Sequence, residues 1–256
     1  VRATRYVTPL REGGSLPAIV EADDAGLYVL KFHGAGQGPK ALIAEVLAGE
    51  LARAMGFRVP ELVLTELEPE LGRAEPDSEI RALLKASAGL NLGVDYLPGS
   101  ITFDPVAGPA PSQQEASELV AFDALVMNVD RTAKNPNLLC WHHALWLIDH
   151  GAALYFHHAW KDALKSTNSP FSPIQHHVLL PWASALDAAE EALHLRLTPE
   201  VLEGAVQTIP DEWLRTDAHF GSTEALREGY LRWLSARLAA SATFVQEAER
   251  ARAQLV

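Results

Sequence analysis

Asn128-Val129-Asp130-Arg131-Thr132-Ala133-Lys134-Asn135, and further on Ile148-Asp149-His150-Gly151, are the two stretches whose joint reading decides the fold. Before the first, Ser112 followed three residues later by Glu115 forms a capping box, which predicts a helix running to about Met127. That helix delivers Asp130 into a short loop, with Asn135 five residues later. Between the stretches lie two apolar runs, 138–141 and 145–148, separated by His142-His143-Ala144, the pattern of a β-hairpin. A hairpin turning at 142–144 brings its two ends together, so Asn135 and Asp149 meet at one point. An amide oxygen and a carboxylate oxygen at a shared point suit a hard cation such as Mg²⁺, with phosphate oxygens filling other positions. Asp130 is then available to accept a proton from an attacking hydroxyl.

Working outward, the N-terminal side supplies a lysine and two candidate glutamates. Runs 18–21 and 27–32 flank Asp23-Asp24-Ala25-Gly26, good chemistry for a hairpin turn. Lys31 lies inside the second run, on the face of Val29 and Leu27, where its ammonium must be partly buried or reach to water along the sheet edge. A helix follows over about 40–55, with Leu42, Ile43, Val46, Leu47, Leu51 and Ala54 on one face and Gly56 as its C-cap. Glu50 sits near the middle of that apolar stripe and Glu45 lies off it, so periodicity favours Glu50 as the buried carboxylate. A strand over 59–67, an acidic connection over 66–78, a short helix over 79–88 and an extended segment over 90–101 complete this half. Helical periods recur over 181–195, 199–209 and 223–255.

D-x-x-x-x-N followed, after a hairpin, by D-x-G is the arrangement of protein-kinase active sites. The particular strings are closer still to one group. Glu12-Gly13-Gly14-Ser15, Tyr28-Val29-Leu30-Lys31-Phe32, Ala44-Glu45 and Leu51 through Glu61 resemble the HipA-like kinases. So do Asn128-Val129-Asp130 with Lys134-Asn135, and Leu147-Ile148-Asp149-His150-Gly151. The resemblance covers about residues 10–155 and implies an α+β, two-lobed protein-kinase-like fold. A small β-rich N-lobe would span 1–97 and a mostly helical C-lobe 98–256. It implies ATP- and magnesium-dependent phosphoryl transfer, most often to serine or threonine. By the same resemblance Asp130 is the catalytic base, and Asn135 and Asp149 bind Mg²⁺. Lys31 contacts the ATP phosphates and pairs with Glu45, whereas periodicity favours Glu50. Asp95 to Leu97 forms the hinge, placing Tyr96 and Leu97 under adenine, and Ser15 stands where such loops can carry a regulatory phosphoserine. The chain departs from the eukaryotic pattern: no His-Arg precedes Asp130, no Phe follows Asp149, and no G-x-G-x-x-G precedes Lys31. HipA toxins carry a further N-terminal subdomain that a chain of 256 residues is too short to include.

Composition sets the outer limits. Lys+Arg 21 against Asp+Glu 33 leaves a formal charge of -12, the wrong field for a general nucleic-acid or anionic-membrane binder. One cysteine, Cys140, allows no internal disulfide and suits a reducing cytoplasm. No apolar run reaches membrane-span length, and residues 1–20 lack a signal peptide's apolar core. Gly34-Ala35-Gly36-Gln37-Gly38 has neither dinucleotide nor Walker spacing, and the paired histidines at 142–143, 157–158 and 176–177 lack chelating spacing. The expected partners are ATP and a protein or small-molecule hydroxyl acceptor. A small-alcohol kinase on the same fold and a catalytically silent interaction module are the alternatives.

Overall fold

The computed structural model describes residues 1–10, 16–72, 75–215 and 217–255. They divide into two compact units, Val1–Ile43 with Pro60–Gly99, and Ala44–Val59 with Ser100–Val256. The first is built on an antiparallel sheet of β1 (Ala3–Pro9), β2 (Ala18–Ala22), β3 (Leu27–Lys31), β4 (Leu62–Leu67) and β5 (Gly89–Asp95), in the order β1-β2-β3-β5-β4. The β2–β3 hairpin forms as its turn chemistry predicts, with Ile19 opposite Val29 and Val20 opposite Tyr28. β1 has no counterpart among the expected strands. It is an edge strand whose Arg, Thr and Tyr side chains mostly face out, so it carries little apolar alternation.

Helix α1 (Pro39–Ala54) begins in the first unit, and its residues from Ala44 onward group with the second. Gly56 caps it at φ +88, a left-handed conformation that costs glycine little, and the Phe57 amide reaches back to the Ala52 carbonyl at 3.1 Å. Helix α2 (Ser78–Ala86) starts at Asp77, whose carboxylate accepts from the Glu79 and Ile80 amides. It buries Ile80 and Leu84 against Val20, Leu30 and Phe32.

The second unit packs helices around α3 (Gln113–Leu125), which is buried from Ala116 to its end. Around it lie α4 (Leu186–Arg196), α5 (Pro199–Gln207), α6 (Asp211–Leu214), α7 (Thr223–Ala239) and α8 (Ser241–Arg252), with α4, α7 and α8 against α3 directly. The helical run expected over 223–255 is two helices broken at Ala240, because a break between two elements of the same period leaves the period intact. A small sheet, β6 (Ile101–Thr102), β7 (Leu138–Trp141) and β8 (Ala144–Leu147), completes this unit. No helix among the described residues is long and apolar enough to cross a membrane.

Candidate active site

The capping box at the start of α3 forms, the Ser112 hydroxyl accepting from the Glu115 amide at 3.1 Å. At the other end of the helix Asp123 is fully buried. Its Oδ2 accepts from Arg131 Nε at 2.5 Å and faces His177 Nε2 at 2.9 Å, while Oδ1 accepts from Asn128 Nδ2 at 3.2 Å. Burial by itself raises a carboxylate's pKa. Here the Arg131 charge and the hydrogen bond to His177 outweigh it and hold Asp123 down at about 2. A buried ion pair of this kind is a weak source of net stability but a strong constraint on geometry.

That constraint falls on the loop carrying Asp130. Asn128 Oδ1 accepts from the Asp130 amide at 3.1 Å, and Arg131 Nη1 donates to the Asn137 carbonyl. Inside the loop the Thr132 amide meets the carbonyls of Asp130 and Asn135, both at 3.0 Å. The Asp130 carboxylate is itself aimed: its Oδ2 accepts from Asn135 Nδ2 at 2.8 Å and from Asn137 Nδ2 at 3.3 Å. Asp130 and Asn135 are therefore in contact, and that contact uses the Asn135 amide nitrogen and not its amide oxygen.

The hairpin that separates the two motifs is tighter than expected. Ala144 pairs with Trp141, so the turn is the two residues His142 and His143, both left-handed at φ +49 and +61, as a primed two-residue turn requires. Leu138 pairs with Leu147, and the Ile148 amide donates to the Asn137 carbonyl at 3.1 Å, so the chain reaches Asp149 beside the loop that carries Asp130. Asp149, at φ +56, is exposed, and His150 behind it is fully buried. The Leu154 amide then returns to the Val126 carbonyl at 2.8 Å, closing the turn onto the end of α3. Asn135 and Asp149, both exposed, offer hard oxygen donors, the set Mg²⁺ prefers. Among the described residues no three His, Cys, Asp or Glu side chains gather into a metal-binding group.

Burial separates the two glutamates of α1. Glu45 is 1% exposed, with Oε1 3.7 Å from His150 Nδ1, whereas Glu50 bonds Arg53 one turn along the same helix and stays half-buried. Periodicity favours Glu50 because it weighs only one apolar stripe, and this helix is buried on most of its circumference. In the first unit Lys31 is half-buried opposite Leu92, on the sheet face away from Tyr28 and Leu30. Its strand pairs with β5, which leads into Tyr96 and the buried Leu97, and the Tyr96 amide donates to the Leu27 carbonyl at 2.9 Å. Lys31 and Glu45 belong to different units. Ser15 lies outside the described residues.

Reading the sequence does not find Asp123, Arg131, Asn137 or His177. Asp123 leaves one signal, a lone carboxylate inside the apolar run Val120-Ala121-Phe122-Asp123-Ala124-Leu125-Val126. Arg131 leaves only its place after Asp130, and His177 leaves none.

A family described as HipA-like kinase matches residues 4–240 of this chain. No curated protein sequence matches. Among solved structures, a Helicobacter pylori proinflammatory kinase, CtkA, is similar at TM-score 0.58 and 12% identity, over 100% of this chain and 99% of that one. The Golgi casein kinase with Mn/ADP bound is similar at TM-score 0.53 and 12% identity, over 96% of this chain and 74% of that one. At such identity the likeness establishes the protein-kinase-like fold, in agreement with the α+β expectation.

Proposed function

The chain belongs to the HipA-like kinase family, and from that premise we propose that it transfers the γ-phosphoryl group of ATP to a hydroxyl acceptor, a serine or threonine side chain. The observation that carries this reading is the aimed carboxylate of Asp130, with both side-chain amides on Oδ2. Oδ1 is then the atom that takes the acceptor's proton as its oxygen attacks the γ-phosphorus and the bond to the leaving ADP oxygen breaks. Asn135 and Asp149 would hold Mg²⁺, as a divalent ion accompanies ADP in the Golgi casein kinase. Bound there, the ion supplies charge neutralisation for the β- and γ-phosphates. The family resemblance assigns Lys31 to the phosphates, with Glu45 as its partner carboxylate, and Tyr96 with Leu97 to adenine. A protein at -12 repels ATP at long range, so this local positive charge is what makes nucleotide binding favourable.

Titrating ATP with and without Mg²⁺ while following the melting temperature, together with transfer of labelled phosphate, tests the proposal. At about 100 times Kd the nucleotide should stabilise the fold by about 2.7 kcal/mol, and far less without the metal. Asp149→Asn should lose binding and turnover together. Asp130→Asn should keep the shift and lose turnover by roughly 10²–10⁴-fold. Label appearing only on small alcohols would reassign the acceptor, and a parent that binds Mg·ATP yet never transfers phosphate would make this a binding module.

A further inference from the structure

The stretch that follows Asp149 is fastened at one end to the C-terminus of α3, at the other to the loop that carries Asp130, and along its length to α7. Leu154 meets Val126 at one end, and at the other the Val178 amide donates to the Arg131 carbonyl at 3.0 Å while Thr132 and His177 form a β-bridge. Between them, His157 Nδ1 lies 3.0 Å from the Tyr230 hydroxyl and Trp233 Nε1 donates to the Ala163 carbonyl at 3.1 Å. Arg237, buried on α7, donates to the Thr167 carbonyl and the Ala124 carbonyl, both at 2.9 Å. A segment in this position is held as a fixed part of the unit, and its end delivers His177 into the interior.

His177 is oriented without ambiguity. The Leu179 amide donates to its Nδ1 at 3.0 Å, so Nδ1 is an acceptor and the ring proton sits on Nε2, which donates to Asp123 at 2.9 Å. Rotating the ring by half a turn would place carbon against both partners. Asp123 in turn holds Arg131 and Asn128, and Asn128 holds the Asp130 amide. A continuous line of hydrogen bonds therefore joins the 155–178 segment to the backbone of Asp130.

We propose that His177 is a positioning residue for phosphoryl transfer: it fixes the Asp123–Arg131 pair and through it sets the place of Asp130. The proposal rests on Asp130 being the base, and it separates a loss of placement from a loss of nucleotide binding. Phe at this position keeps the ring volume and removes both polar functions. Gln can present its amide nitrogen near the place of Nε2 and keep the donor to Asp123.

The test compares the full chain with His177→Phe, His177→Asn and His177→Gln by ADP release, Mg·ATP affinity and amide hydrogen exchange over 128–137. His177→Phe should lower kcat by roughly 10–100-fold with Mg·ATP affinity nearly unchanged, the signature of a displaced rather than missing base. Exchange at Asp130 and Thr132 should quicken, and His177→Gln should restore most of both. Should the Phe variant not fold, His177→Asn, whose shorter amide falls short of Asp123, gives the same comparison against Gln. Unchanged kcat in the folded variant, equal behaviour of Gln and Phe, or unaltered exchange in the loop would overturn the proposal. The exchange measurement needs no turnover: exchange quickened by His177→Phe in a chain whose parent shows no kinase activity would uphold the positioning and sink the kinase reading alone.

Discussion

The two units solve the same problem, burying a core, with different materials. The first packs its sheet on Val20, Tyr28, Leu30, Phe32 and Leu84, and among its described residues the buried polar side chains are Thr65, Ser87 and Asn91, none of them ionisable. The second buries Glu45, Asp123, Arg131, His150, His177 and Arg237 among its apolar residues. Apolar contact is non-directional, so it makes a sheet stable while tolerating small shifts. Buried charge tolerates few arrangements, since each group must find its partner or pay full desolvation. The unit that carries Asp130 is the one built with the more demanding material. Its interior specifies position; the interior of the sheet supplies cohesion.

Breaking the buried pair should have the largest effect. Asp123→Asn leaves the Arg131 charge without its counter-ion, and a stability loss of about 3–5 kcal/mol is expected in denaturant titration. Replacing both partners by apolar residues, Asp123→Leu with Arg131→Met, should recover part of that loss and none of the turnover. A double variant that regained turnover would show that the pair places nothing.

In the first unit the matching experiment is Leu30→Ala, expected to cost about 2–5 kcal/mol, whereas Leu30→Met, which nearly conserves volume, should cost less than about 1.5 kcal/mol. The contrast with the second unit is the point of the measurement, because Arg131→Lys, equally conservative in charge, cannot reproduce a guanidinium that bonds Asp123 and Asn137 at once. A mild Arg131→Lys phenotype would erase the distinction drawn between the two interiors.

Acid should act on the second unit first. Burial pushes the pKa of His177 below its ordinary 6.5, against the pull of Asp123, with Arg131 adding to the depression. The unfolded chain then takes up this proton before the native state does, so stability falls as pH drops below about 6.5. Asp123, held at about 2 against an ordinary 3.8, contributes about 2 kcal/mol that is present above pH 4 and lost between about pH 4 and 2. His177→Gln should flatten the upper part of this curve and leave the lower part. An identical curve in the variant would place the proton uptake elsewhere.

The smallest effect expected is at the hairpin tip. His142 and His143 hold left-handed conformations that Asn and Gly adopt at less cost, and an Asn-Gly replacement should stabilise by roughly 0.5–1 kcal/mol with no change in turnover. The same result would confirm that these paired histidines serve only as a turn.

Local signals account for what can be read from this sequence. Ser112 and Glu115 cap α3, Gly56 ends α1, and the breaks at 23–26 and 142–143 turn the two hairpins, each through chemistry among residues a few positions apart. The spacing from Asp130 to Asn135 is local too, and the contact between them forms. β1 escapes such reading because an edge strand needs little alternation, and Ala240 because two helices in series share one period.

Tertiary structure decided the rest. It chose Glu45 over Glu50 for burial, which the apolar stripe of α1 cannot reveal for a helix surrounded on most sides. It also brought His177 to Asp123 across 54 positions of sequence. Residue type and spacing determine which groups this chain has for the chemistry of a kinase. Which buried charge meets which partner depends on desolvation, and desolvation has no value until the whole unit has closed around the pair.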